Sequence, residues 1–316
     1  MPVLLTEKQA FLALNALPGV GPLGLNRLLQ GFQGDPCAVF RADKRKLESI
    51  IGDRPGAVAA VLDWHTHVDP AKEDDRLLRG GIDFLTPGEP GYPVLLREIE
   101  DPPIGLYRKG NYGFINPCIG VVGSRRATAY GQSVATRLGA QLAVLGFCVV
   151  SGLSRGIDTA AHEGALSVGG RTAAVLGTGI DIVFPPENLA LYRRISETGA
   201  VLSEFPLGHP AEPDSLAMRS RVISGICEAV IVVESDLRGG AMTTARFSGE
   251  HGRLLFAVPG RIDQSSSSGC NQLIRDGAAL LTRVEDVLNE IQYLGGLKPA
   301  PIRPAKPAPE GTAGPA

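Results

Sequence analysis

Four short segments carry residue types that can hold a phosphate. Gly123-Ser124-Arg125-Arg126 is a glycine loop with two adjacent arginines. Ser151-Gly152-Leu153-Ser154-Arg155-Gly156 repeats the theme with one arginine. Arg219-Ser220-Arg221 offers two more guanidinium groups, and Gly239-Gly240 offers backbone without side chains. Loop amides and helix N-termini attract anions, and the guanidinium fork matches the oxygens of a phosphate. Gly152 to Gly156 also fits G-x-S-x-G, the turn that exposes a nucleophilic serine. Asp181 followed by His209 or His251 would complete that order of acid and histidine. A plainer reading stays open as well, in which any such loop is a tight strand-to-helix turn with solvated arginines.

These loops need elements to bring them together. Apolar runs at Ile119–Val122, Phe147–Val150, Thr172–Leu176, Ala200–Leu202, Val230–Val233 and Leu254–Val258 alternate with helical patterns. The helix behind the first loop opens near Thr128, with Val134, Leu138, Leu142 and Leu145 at helical spacing. Short apolar strands separated by helices predict a Rossmann-like parallel sheet with helices on both faces. In such a sheet the loops after the strands emerge at one edge, where open α/β folds bind ligands. Asp158, Thr243 and Thr244 are candidate helix caps there. Met218 to Ile223 is expected to open a helix just before the Val230 strand.

Ahead of the sheet, residues 1–80 read as a small all-helical domain. Leu14 to Pro22, with Pro18-Gly19-Val20-Gly21 between two helical patterns, resembles a SAM or helix-hairpin-helix turn. In such a motif the amides of the turn hold a DNA phosphate without reading bases. A packed helical pair that shares only the turn accounts for it equally well. A charged helix ends near Asp83, and Ile82–Leu85 follows as a short strand. Gly91–Leu96 and Asp101–Gly110 are proline-containing and read as extended. Residues 81–295 form the sheet domain, and the Pro/Ala-rich residues 296–316 read as a disordered tail or linker.

Composition narrows the function. Hydrophobic residues make up 44% and charged residues 20% of 316, with net charge −2, so a polyanion site must be a local cluster of cations. No lysine occurs between Asn111 and Leu297, which fits phosphate contacts and equally a codon preference for arginine. No apolar run approaches a membrane span, and no leader pattern opens the chain. Five scattered cysteines predict reduced thiols in a cytoplasm. His65 and His67 lack the carboxylate or cysteine neighbours of a metal site. There is no G-x-x-x-x-G-K-[ST], and Gly177-Thr178-Gly179 lacks the third glycine of a dinucleotide loop, so no cofactor is expected.

Val121–Gly131, Ser151–His162, Ala174–Asp181 and Ala257–Gly260 together resemble the DNA processing protein A (DprA/Smf) family. The likeness runs from about Gly91 to Leu288. It implies a cytoplasmic homodimer of natural transformation that binds single-stranded DNA, with double-stranded DNA as a further candidate. It implies a partner recombinase of the RecA type, and no catalysis. Its DNA-binding residues map onto Gly123, Ser124, Arg125, Arg126, Ser151, Gly152, Arg155, Arg219, Arg221, Gly239 and Gly240. The chain departs from the family at Ser154 (usually alanine), Ser220 (usually asparagine) and Gly239 (usually serine). The alternative is a Rossmann-like nucleotide hydrolase, but such enzymes place a glutamate on the helix after the glycine loop, where this chain has Ala245 and Arg246. Tyr130, Phe184 and Phe205 are candidates for base stacking.

Overall fold

The computed structural model describes residues 5–52, 54–114 and 117–293; the expected tail at 296–316 lies outside them. The chain begins with helices α1 (Glu7–Asn15), α2 (Pro22–Gly31), α3 (Pro36–Arg41), α4 (Lys44–Ile51), α5 (Pro55–Leu62) and α6 (Pro70–Gly80). Their starts are written locally. Thr6 and Gln9 form a reciprocal capping box on α1, and Asp35, Asp43 and Asp69 each accept an amide at the next helix start. Proline opens α2, α3, α5 and α6, where its missing N–H costs nothing. These helices bury Leu14, Leu28, Val39, Leu47, Val58 and Val61 in a core of their own, which Ile104 closes from below.

A nine-stranded sheet follows. Its elements are β1 (Ile82–Leu85), α7 (Val94–Arg97), β2 (Leu106–Lys109), β3 (Cys118–Val122), α8 (Ala129–Val144), β4 (Cys148–Ser151), α9 (Ile157–Ser167), β5 (Thr172–Leu176), α10 (Leu189–Thr198), β6 (Ala200–Ser203), α11 (Pro213–Ile226), β7 (Ala229–Val232), α12 (Gly240–Glu250), β8 (Leu254–Ala257), α13 (Ser265–Arg275), β9 (Ala279–Leu280) and α14 (Val284–Tyr293). The spatial order is β1-β2-β6-β5-β4-β3-β7-β8-β9. Strands β3 to β9 pair in parallel, and β2 runs antiparallel to both β1 and β6. The six anticipated strands all occur within a residue or two of their expected bounds. Each has helices to cover both faces, which is why they read as unbroken apolar runs. Val122, Val150, Val175, Leu202 and Val230 face one core; Ile119, Val121, Val149 and Ile231 face the other. Burying side chains of this size stabilises the fold by roughly 1.5–3 kcal/mol each.

Three local expectations are corrected. Val94–Arg97 is a helical turn that buries Leu96, because Pro93 permits a helix start directly after it. Asp158 lies inside α9, whose N-cap is Gly156, and Thr243 and Thr244 lie inside α12, whose N-cap is Gly239; neither helix has a side-chain cap. Arg219 and Arg221 sit in the middle of α11 rather than at its start, because Glu212 and Pro213 begin that helix earlier. The short β9 was not anticipated, since two residues carry no period.

From β3 the chain adds β4, β5 and β6 on one side of the sheet and β7, β8 and β9 on the other. The reversal between β3 and β7 leaves a crevice above their C-terminal ends. Helices α8 and α9 flank it and pack closely. A Cβ on Gly139 would overlap the Ala161 carbonyl, and one on Gly164 would overlap that of Thr136. That glycine contact sets the spacing of the loops that open both helices.

Candidate functional site

A cavity of about 320 Å³ occupies the crevice between β3 and β7. The β3 loop forms one wall with Gly123, Ser124, Arg125 and Arg126. The β7 loop lines the cavity with Ser235, Asp236, Gly239 and Gly240, and α11 with Leu216, Arg219, Ser220 and Ile223. The loops are held by internal bonds. Ser124 N donates to the Glu234 carbonyl at 2.7 Å, and Ile157 N donates to the Ser124 carbonyl at 3.2 Å. The buried Glu234 carboxylate accepts from Thr128 N at 2.9 Å, anchoring the start of α8 to the β7 loop. Thr128 itself caps α8 by accepting from Gly131 N. Gly156 has φ +75°, and a Cβ there would overlap the Ser124 carbonyl, so the β3 and β4 loops touch only because Gly156 lacks a side chain.

Arg125 and Arg126 are exposed at the mouth, and neither forms an ion pair among the described residues. They are the free cations of the cavity. Arg219 also lines it but is only 7% exposed. Its guanidinium donates to the Gly152 carbonyl and, at 2.7 Å, to Ser154 Oγ, and lies 3.7 Å from the Asp158 carboxylate. Burial pushes the Asp158 carboxyl up and the Arg219 guanidinium down from their ordinary values, while each partner opposes the shift in the other. Behind them His162 is fully buried, with Nδ1 2.6 Å from Thr172 Oγ1 and Nε2 without a partner. Burial, helped by the charge on Arg219, lowers its pKa to about 3.

The structure does not bring all the expected residues to the cavity. Arg221 is 0% exposed and points away from it. Its guanidinium pairs with Glu204, donates to the Asp101 carbonyl at 2.6 Å and lies 3.5 Å from the Asp101 carboxylate. Two residues along a helix rotate a side chain by roughly 200°, so Arg219 and Arg221 cannot share a face. Ser151 is buried at the end of β4 and donates to the Val121 carbonyl at 2.6 Å, tying two strands rather than meeting a ligand. Gly152 lies under the Arg219 guanidinium, where a Cβ would stand 2.6 Å from it. Arg155 is exposed outside the cavity and pairs with Glu187, which raises its pKa and lowers that of Glu187. None of Tyr130, Phe184 and Phe205 lines the cavity, and Phe205 stacks on His209 with ring centroids 4.7 Å apart.

The serine-hydrolase constellation does not assemble. Ser154 Oγ accepts from Arg219, whereas His251 Nδ1 lies 2.8 Å from Ser224 Oγ and Asp181 accepts from Gly208 N and Arg76. Among the described residues no cluster of His, Cys, Asp or Glu is arranged to hold a metal ion. No helix there is long and apolar enough to cross a membrane. Sequence reasoning missed Asp236 and the apolar lining from Leu216 and Ile223, and it took Thr244 only as a helix cap and Ser220 only as the residue between two arginines. Asp236 stood four residues after the end of β7 in a loop already singled out, so its position was a usable signal. Leu216 and Ile223 gave none, because an apolar residue within a helix does not say which cavity it faces.

The family model for DNA recombination-mediator protein A matches residues 83–292. Protein Smf of Synechocystis sp. is 36% identical over 303 residues, covering 94% of this chain and 74% of that protein. DNA processing protein DprA of Streptococcus pneumoniae is 41% identical over 203 residues, covering 64% of this chain and 72% of that one. The X-ray structure of the S. pneumoniae protein superposes with a TM-score of 0.78 at 32% identity, over 90% of this chain and 98% of that chain. A structure of DNA processing protein A from Helicobacter pylori, described for its single-stranded DNA binding mode, superposes with a TM-score of 0.60 at 26% identity, over 67% of this chain and 96% of that chain. On these grounds the chain belongs to the DNA recombination-mediator protein A family, the DprA/Smf DNA processing proteins.

Proposed function

We propose that this protein binds single-stranded DNA across the C-terminal rim of its sheet and hands the strand to a RecA-type recombinase during natural transformation. The reading rests on one observation: Arg125 and Arg126 stand unpaired at the mouth of a cavity at the topological switch point. The uncapped first turn of α12 opens onto the same space, so its amides and dipole add to the attraction for an anion. The described single-strand binding of the H. pylori relative supports the choice of polymer. The protein acts as a cytoplasmic homodimer and as a chaperone of the strand, not as an enzyme. The helices of residues 1–80 and the sheet of residues 81–295 serve as two domains, with duplex DNA as a further ligand.

The test is a binding titration of the whole chain against single and double strands at two salt concentrations. Phosphate contacts release counterions, so affinity for the single strand falls as salt rises, with a slope of about −0.7 per contact. Affinity that does not respond to salt removes the phosphate reading. Filament assembly by a RecA-type recombinase on strand precoated with a single-strand binding protein tests the loading step.

A further inference from the structure

Two cavities between α8 and α14 merge into one groove. The first, about 440 Å³, lies between the opening turns of α8 and the turn from β9 to α14, with Tyr130 among its lining residues. The second, about 290 Å³, continues it past Val144, Leu145 and Leu288. Gln141 and Val284 line both, so the groove runs unbroken along the two helices. It shares no residue with the cavity between the β3 and β7 loops. Tyr130 and Val144 are 59% and 55% exposed on it, although Val134, Leu138 and Val284 beside them are buried. Large apolar side chains left open along a groove mark a surface that something covers.

The course of the chain names the occupant. Helix α14 starts at the Tyr130 end of the groove with Val284, passes the second cavity at Leu288 and ends at Tyr293. The chain therefore leaves at the far end of its own groove, and a simple reversal lays the next residues along it. Ten residues of helix span about 15 Å, which about five residues of polyproline II chain retrace. The stretch that follows is Leu297-Lys298-Pro299-Ala300-Pro301-Ile302-Arg303-Pro304. Its prolines favour that extended conformation, which docks in grooves with aromatic walls. Charge agrees. Lys298, Arg303 and Lys306 are cations, and α14 displays Glu285 and Glu290 exposed and without an ion pair among the described residues.

We infer that residues 297–304 of this same chain occupy the α8–α14 groove, running antiparallel to α14 with a proline against Tyr130 and the cations beside its glutamates. The test uses the full chain with Cys37→Ser, since the other native thiols are buried. Val144→Cys and Ala300→Cys are added, and the dilute protein is treated with a short bismaleimide. Val144 is exposed, so its replacement keeps the fold. A link within one chain is expected, read from the mass of the joined peptides and from migration as a single chain. Adding Tyr130→Ala and Glu285→Gln should slow the linkage about tenfold, the combined worth of an aromatic contact and an exposed ion pair. Both side chains are exposed, so urea unfolding should match the parent. A link between two chains gives the groove to a second copy and overturns the assignment. A rate untouched by the two substitutions means that the segment is merely tethered nearby, which overturns it as well. Absence of any link leaves the groove to another partner and has the same consequence.

Discussion

The β3 loop and helix α11 both present a pair of arginines near one cavity, and the two pairs have opposite duties. Arg125 and Arg126 are neighbours on a short exposed loop and carry no counter-charge among the described residues. Arg219 and Arg221 are held inside by Asp158, Glu204 and Asp101. A buried charge must be paired or it costs several kcal/mol, so the inner pair is fixed to the fold. An exposed unpaired charge contributes little to folding and remains available to a ligand. The comparison teaches that arginine near a binding site has a role set by its counter-ions, not by its proximity. Arg221 also links regions: it reaches Asp101, beside Pro102, whose carbonyl accepts from Asn26 of the helical region at 2.9 Å.

The sharpest way to break this contrast is Arg221→Met. It leaves Glu204 and Asp101 without their cation, and we expect a loss of about 3–5 kcal/mol in urea unfolding. Strand affinity of the protein that remains folded should be unchanged; a clear loss would return Arg221 to the interface.

The inner layer also predicts a pH response. His162 has its pKa depressed from 6.5 to about 3, so it adds stability that is complete above pH 6.5 and is lost as pH falls towards 3. By about pH 4.5 the loss from this group should reach roughly 3 kcal/mol. Asp158 and Glu204 have the opposite sign: burial raises both, so their contribution is present at low pH and declines as pH rises through the folded values. Comparing stability against pH for the parent and His162→Gln isolates the histidine. The slope should differ by about 1.4 kcal/mol per pH unit below 6.5, and identical slopes would show that His162 is not held neutral.

At the outer layer the readout changes from folding to binding. Arg125→Ala should leave unfolding within about 0.5 kcal/mol of the parent. Its single-strand affinity should fall about tenfold, and the salt slope should shrink by about 0.7. Unaltered affinity would remove Arg125 from the site. The smallest effect belongs to Arg155→Ala, because Glu187 already holds that guanidinium. A change in affinity of twofold or less is expected in the same titration; a change as large as that of Arg125→Ala would mean that the strand displaces Glu187.

Most of the architecture was legible because it is encoded over short range. Strands β3 to β7 are runs of fully buried, largely β-branched and small residues, and aspartates or prolines mark several helix starts. The β3 loop was legible for the same reason: its glycine, serine and arginines are consecutive, so any strand-to-helix turn presents them together. Gly239 and Gly240 followed suit. What the chain alone left open was orientation. Arg219-Ser220-Arg221 looks symmetric as a string, yet helical rotation sends its outer members to opposite faces, and only the positions of Asp158 and Glu204 decide which face meets the cavity. Asp236 and Ser220 meet across a space bounded by β7 and α11, a distance defined by packing and by no local pattern. Residue type and spacing therefore determined the run of parallel strands, its rim of glycine loops and which loops carry arginine. Tertiary structure decided which charges are neutralised, because a counter-ion can come from any part of the chain.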